Sequence, residues 1–138
     1  MTGLNTIAII DDSALDRRLC AMMIARCELA RDCVGFDSAE AALEAWQNGA
    51  CAGVDMILLD VNLPGLSGID FLEACAGQQL RDLPPIFVML TQPLLRRDHE
   101  RAVATGRVTG WIDKPLTRDA LRRHAASLTR NMRTQPHA

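Results

Sequence analysis

The 138-residue chain has no tyrosine, three phenylalanines and two tryptophans. So few rings exclude a surface that stacks single-stranded bases on aromatic side chains. Lysine is scarcer still, because Lys114 is the single lysine and every other basic residue except histidine is arginine. The formal net charge of -2 gives no general attraction to nucleic acid or anionic lipid, so partners must be met through a specific surface. The N-terminal "MTGLNTIAIIDD" lacks a basic region followed by a long apolar stretch, and no apolar run approaches the roughly 18 residues that cross a bilayer. A soluble, cytoplasmic protein is expected. The cysteines, Cys20, Cys27, Cys33, Cys51 and Cys75, are odd in number, form no C-x-x-C pair and lie among apolar residues. They read as small reduced core hydrophobes rather than as disulfides or metal ligands.

What is present is a pattern of buried runs. "TIAII" (6–10), "VDMILL" (54–59) and "PPIFVML" (84–90) are continuously apolar, as strands buried on both faces of a parallel sheet are. Between them the period is helical. After "DDS", Leu15, Leu19, Met22 or Met23 and Arg26 recur at three- and four-residue steps, which predicts an amphipathic helix of about 14 residues fading near 28–31. "DSAEAALEAWQNG" predicts a second helix, capped by Asp37 or Ser38, with Glu40 in its first turn and Gly49 past its end. A short piece at 33–36 is a weak strand candidate. "SGIDFLEACAG", "LLRRDHERAVATG" and "TRDALRRHAASLTRNM" predict three more helices, the last capped by Thr117, and "TGWID" a fifth strand. Residues 1–130 are expected to form one α/β domain and 131–138 a disordered tail. Strand and helix alternating five times imply right-handed crossovers and a doubly wound open sheet.

Such sheets place ligands outside the carboxyl ends of their strands. There the sequence sets Asp11 and Asp12 after strand 1, Asp60 after strand 3, Thr91 after strand 4 and Lys114 after strand 5. Three gathered carboxylates repel one another unless a cation joins them, and a hard divalent ion such as Mg²⁺ answers that need. The plain alternative is that Asp11 and Asp12 cap the first helix and that Lys114 makes an ordinary ion pair. A compact ammonium, a hydroxyl and a divalent ion around one carboxylate are also what an aspartyl phosphate requires. Lysine suits that place because its small head reaches one oxygen without a flat bidentate face.

These residues, in this order, resemble the receiver domain of two-component response regulators. The resemblance is carried by Asp11-Asp12, by Asp60 in "LLDVNLPGLSG" (similar to the family's D-x-x-(M/L)-P-x-x-x-G), by Thr91 and by Lys114-Pro115 in "DKPL", and it spans about residues 5–130. It implies a (βα)5 flavodoxin-like fold with strand order 2-1-3-4-5. It further implies that Asp60 accepts phosphoryl from a phosphohistidine donor on a histidine kinase or histidine phosphotransfer protein. Mg²⁺ would be held by Asp12, Asp60 and the backbone carbonyl of Asn62, with Asp11 acting mainly through water. Lys114 would hold a phosphoryl oxygen, with the Lys114–Pro115 peptide cis. Thr91 would turn toward the phosphoryl group, and the aromatic three residues before the lysine, here Trp111, would follow it inward. The surface of helix 4, strand 5 and helix 5 would then be remodelled for an output protein, by a monomer or a phosphorylation-dependent dimer.

The chain also departs from that pattern. Tryptophan replaces the usual tyrosine or phenylalanine at 111. Gln92 stands where a small residue is usual, and Pro93 stiffens the approach to helix 4. Four residues between Gly106 and Trp111 are one more than usual, so the helix 4 to strand 5 loop should differ locally. Arg96, Arg97, Arg101, Arg118, Arg122 and Arg123 line the expected output surface, or form an ordinary solvated face with Asp98 pairing to Arg101. Two other readings stand beside a stand-alone phosphoacceptor. One is an unphosphorylated scaffold, which would normally have lost an acid or the lysine. The other is a haloacid-dehalogenase-like phosphohydrolase, which needs an aspartate where this chain has Asn62.

Overall fold

Each predicted strand and helix forms in the computed structural model, which describes residues 3–77 and 83–134, with side chains to residue 128. In chain order they are β1 (Leu4–Ile10), α1 (Ala14–Arg26), β2 (Ala30–Phe36), α2 (Ala39–Gln47), β3 (Val54–Asp60), α3 (Gly68–Gly77), β4 (Ile86–Leu90), α4 (Arg96–Ala104), β5 (Val108–Asp113) and α5 (Arg118–Thr134). All strand pairs are parallel and the order is β2-β1-β3-β4-β5, the expected doubly wound arrangement. No helix among the described residues is long and apolar enough to cross a membrane.

The continuous apolar runs have a physical cause, because alternate side chains of β1, β3 and β4 serve two cores. Ala8, Ile10, Ile57, Leu59 and Val88 pack under α2, α3 and α4, where Leu43, Ile69, Phe71, Leu72 and Ala102 meet them. Ile7, Ile9, Met56, Leu58, Phe87 and Met89 face α1 and α5, against Cys20, Ile24, Leu121, Ala125 and Leu128. Each such large side chain contributes about 1.5–3 kcal/mol by leaving water. All five cysteines are free thiols. Burial pushes Cys20 up to about 12 and Cys33 and Cys75 up to about 11, so these three behave as packing groups.

Caps set the boundaries. Ser13 accepts from the Asp16 N–H and Ser38 from the Ala41 N–H, opening α1 and α2. α1 ends earlier than its apolar period suggests. Glu28 takes a left-handed φ of 51°, while Leu29 N–H bonds Ile24 C=O and Glu28 N–H bonds Ala25 C=O. This Schellman turn releases the chain into β2, which starts at Ala30 rather than near 33.

The structure corrects three further expectations. α1 buries Cys20 and Ile24, with Met23 and Cys27 beside them, while Leu15, Leu19 and Met22 lie on the exposed side. Apolar residues surround this helix, and its small cysteines, not its leucines, let it close on the sheet. α5 runs on to Thr134, four residues past the expected domain edge, because nothing between Asn131 and Thr134 breaks a helix and the next breaker is Pro136. The rest of the expected tail, 135–138, lies outside the described residues.

The third correction concerns the extra residue before Trp111, which sits in a strand and not in the loop. The β4–β5 register slips between Ile86, opposite Val108, and Phe87, opposite Gly110. Thr109 is the bulged residue, and its Oγ1 accepts the Ile86 N–H at 3.3 Å.

Candidate functional site at the strand ends

β1 and β3 deliver their acids to one edge of the sheet. Asp11 is 1% exposed and Asp60 5% exposed, and they are the buried charged residues of the described chain. Two buried carboxylates are costly unless partnered. Asp11 has a full set of partners: its Oδ1 accepts the Ser13 N–H at 2.9 Å, its Oδ2 the Lys114 ammonium at 2.9 Å, and its carbonyl the Arg17 guanidinium at 2.6 Å. Asp60 Oδ1 accepts the Asn62 N–H at 3.1 Å, and its Oδ2 lies 3.5 Å from Lys114 Nζ. Burial raises the Asp60 carboxyl above its ordinary pKa, against the Asn62 hydrogen bond and the lysine charge, which lower it.

The turn after Asp60 depends on Gly68. A Cβ there would stand 2.7 Å from the Asp60 carbonyl oxygen and 2.8 Å from Val61 Cα. Gly68 N–H instead bonds Val61 C=O at 3.0 Å, and Ser67 and Asp70 cap α3 reciprocally. The final glycine of the "DVNLPGLSG" segment therefore lets α3 close against the strand end that carries Asp60.

Asp12 is exposed at the rim. Asp11, Asp12 and Asp60 each offer a carboxylate oxygen, and these oxygens lie within 4.8 Å of one another. An all-oxygen donor set containing two buried carboxylates fits a hard divalent cation.

β5 supplies the counter-charge. Lys114 N–H bonds Leu90 C=O at 2.7 Å, tying the strand end to β4, and the Lys114–Pro115 peptide is cis. The ammonium reaches Asp11 at 2.9 Å, Asp16 at 3.3 Å and Asp60 at 3.5 Å. Burial alone would lower its pKa, but the hydrogen bond to Asp11, the Asp60 and Asp11 charges and the bond to Asp16 outweigh it and raise it. Asp16 was not singled out by the sequence reading. Its signal is spacing, since it lies four residues after Asp12 and in the first turn of α1.

Thr91 is exposed at the end of β4, and its Oγ1 accepts from the Asn62 side-chain amide at 3.3 Å. That amide marks the position where the phosphohydrolase reading requires an acid. Gln92 and Pro93 are exposed, and α4 begins at Arg96 with no side-chain hydrogen bond at its Leu95 cap. Trp111 is partly buried against the α2–α4 core, and its indole stacks on His99 of α4 with ring centroids 5.0 Å apart.

Arg101 does not stand free on the expected output face. It reaches Glu73 and Asp70 of α3 at 2.5 and 3.2 Å, and Asp98 at a longer 3.8 Å. Arg96 pairs with Glu100, whereas Arg97, Arg118, Arg122 and Arg123 are exposed.

Comparison with known proteins adds to this geometry. The profile of the Response regulator receiver domain matches residues 7–126. The chain is 32% identical over 122 residues to the chemotaxis protein CheY of Pseudomonas aeruginosa, covering 84% of this chain and 89% of that protein. It is 33% identical to the transcriptional regulatory protein ResD of Bacillus subtilis, over 96% of this chain but 52% of that longer protein. Among solved structures, Vibrio cholerae CheY4 superposes with a TM-score of 0.73 at 22% identity, covering 91% of this chain and 99% of that one. A receiver domain protein of Clostridium thermocellum superposes with a TM-score of 0.76 at 16% identity, covering 94% and 98%. With acids, hydroxyl and lysine gathered at one sheet edge and the family profile spanning nearly the whole fold, the chain belongs to the response regulator receiver domain family.

Proposed function

We propose that this receiver is a phosphoacceptor switch of a two-component system or phosphorelay, with Asp60 as the acceptor. The observation that carries the reading is the placement of Asp60: 5% exposed at the end of β3, 3.5 Å from the ammonium of Lys114, and grouped with Asp11 and Asp12. In the transfer an Asp60 oxygen bonds phosphorus as the P–N bond of a phosphohistidine breaks, the imidazole nitrogen keeping the electron pair. The donor is a histidine kinase or a histidine phosphotransfer protein. Beyond this self-catalysed transfer and the later hydrolysis of the acyl phosphate, the protein is a switch and not an enzyme.

Asp12, Asp60 and the Asn62 carbonyl, with Asp11 beside them, would hold Mg²⁺. When bound, the ion supplies positive charge against the phosphoryl oxygens. Lys114 takes one phosphoryl oxygen from the opposite side. Thr91 donates its hydroxyl to another and so gives up the Asn62 amide. The room it leaves is offered to Trp111, whose inward turn would break the stack on His99 and remodel α4, β5 and α5 for a protein partner. The output is made by protein contact in the cytoplasm, from a monomer or a phosphorylation-dependent dimer, with no direct nucleic acid or membrane binding.

Beryllofluoride, which mimics the phosphoryl group on a carboxylate, tests this in a Trp46→Phe background where Trp111 is the sole fluorophore of its kind. A Mg²⁺-dependent change in Trp111 emission that Asp60→Asn abolishes is expected. The same emission with and without beryllofluoride and Mg²⁺ overturns the reading.

A further inference from the structure

Lys114 makes one contact that the phosphoacceptor reading leaves without a role. Asp16 Oδ2 accepts from its ammonium at 3.3 Å, nearer than Asp60 at 3.5 Å. Asp16 lies in the first turn of α1 and belongs to neither the acidic triad nor the Thr91–Trp111 pair. It stands at a cavity of about 450 Å³ whose wall also includes Asp11, Leu19, Met23, Thr91 and Lys114.

An ammonium has three donors. Asp11 and Asp16 occupy two of them at hydrogen-bond distance, and Asp60 stands at the limit of reach for the third. A phosphoryl group on Asp60 brings stronger acceptors to that third donor, and as the ammonium moves toward them one of its other two partners is drawn out of reach. The Asp11 side chain is 2% exposed, so losing the lysine would strand a buried charge. The Asp16 side chain is 45% exposed, and water can replace the lysine there at little cost. Asp16 is the partner that yields.

We propose that Asp16 is a positioning residue for Lys114. It holds the ammonium toward the cavity while Asp60 is bare and competes for it as the phosphoryl group arrives. Asp16 thus slows phosphorylation and lowers the phosphorylated fraction at a given donor concentration. This inference rests on Asp60 being the phosphoacceptor.

The test compares wild type, Asp16→Asn and Asp16→Glu with acetyl phosphate and Mg²⁺. Here an Asp60 oxygen bonds phosphorus as the P–O bond to acetate breaks, and acetate leaves with the electron pair. Intact mass against time should show Asp16→Asn phosphorylated about two- to fivefold faster, the scale of a half-exposed ion pair, with Asp16→Glu near wild type. Because the chain has one lysine, ¹⁵N-lysine labelling gives a single Nζ signal. Its shift should move and its ammonium protons exchange faster in Asp16→Asn, and both should return in Asp16→Glu. A helix-capping role for Asp16 would leave that signal unmoved. An unchanged rate or an unchanged Nζ signal in Asp16→Asn, beside a wild type that does take up phosphate, overturns this inference alone. A wild type that takes up no phosphate overturns the phosphoacceptor reading and this inference with it.

Discussion

The imidazole of His99 on α4 lies against the indole of Trp111 on β5, with centroids 5.0 Å apart and planes 25° from parallel. This stack joins the helix expected to move to the ring expected to turn, so neither shifts without breaking it. In a Trp46→Phe background, His99→Ala should move Trp111 emission to longer wavelength and increase its quenching by acrylamide. The variant should lose about 0.5–1.5 kcal/mol of stability, the scale of an aromatic pair. Unchanged emission and quenching would mean that the stack does not hold the indole.

Gly68→Ala should be among the most damaging small changes in the chain. Its methyl would meet the Asp60 carbonyl oxygen at 2.7 Å and Val61 Cα at 2.8 Å, and both are backbone atoms that cannot rotate away. Overpacking of this kind costs about 1–3 kcal/mol. Urea denaturation measures it, and a midpoint equal to wild type would contradict the close approach of α3 to β3.

Asp60→Asn should stabilise the fold at neutral pH in the absence of divalent cations. Burial raises the Asp60 pKa above its unfolded value, so the folded chain binds that proton more tightly than the unfolded chain. The stability this contributes is present below the unfolded carboxylate pKa and is lost as pH rises through the folded one. At neutral pH the ionised carboxylate is therefore a cost that the amide removes. The advantage of the variant should shrink as pH falls through the raised Asp60 pKa, followed by urea denaturation across acidic to neutral pH. Mg²⁺ should raise the wild-type Tm and affect the variant less. A variant less stable than wild type at neutral pH would contradict the account.

Arg101→Gln should cost little stability, because the side chains of Arg101 and its α3 partners are more than a third exposed and water screens the pairs. The cost should shrink as salt is added. Amide hydrogen exchange along α4 should quicken at low salt, since the ties to Glu73 and Asp70 join α4 to α3. Equal exchange in wild type and variant would assign the clamp no part in holding α4.

The sheet and the chemistry at its edge were legible because both are written in local pattern. β1, β3 and β4 are apolar on both faces, and the polar residue that ends each run falls at the carboxyl edge without further information. The face of α1 was misread because the leucines were weighted above Cys20 and Cys27, and periodicity does not say which of two apolar stripes meets the sheet. The bulge at Thr109 was legible as one residue too many, but its place depends on pairing with Ile86, a contact between strands. Asp16 was missed for a related reason. It joins the site only through Lys114, 98 residues along the chain, and its spacing from Asp12 alone does not reveal that meeting.

Intact mass after incubation with acetyl phosphate, with and without Mg²⁺, tests the central claim most directly. Wild type should gain one phosphoryl group in the presence of Mg²⁺, mapped to the peptide that holds Asp60, and none with a chelator. Asp60→Asn should gain none under either condition. A wild type that takes up no phosphate, or an Asp60→Asn variant that takes up as much as wild type, would contradict the assignment of Asp60 as the phosphoacceptor.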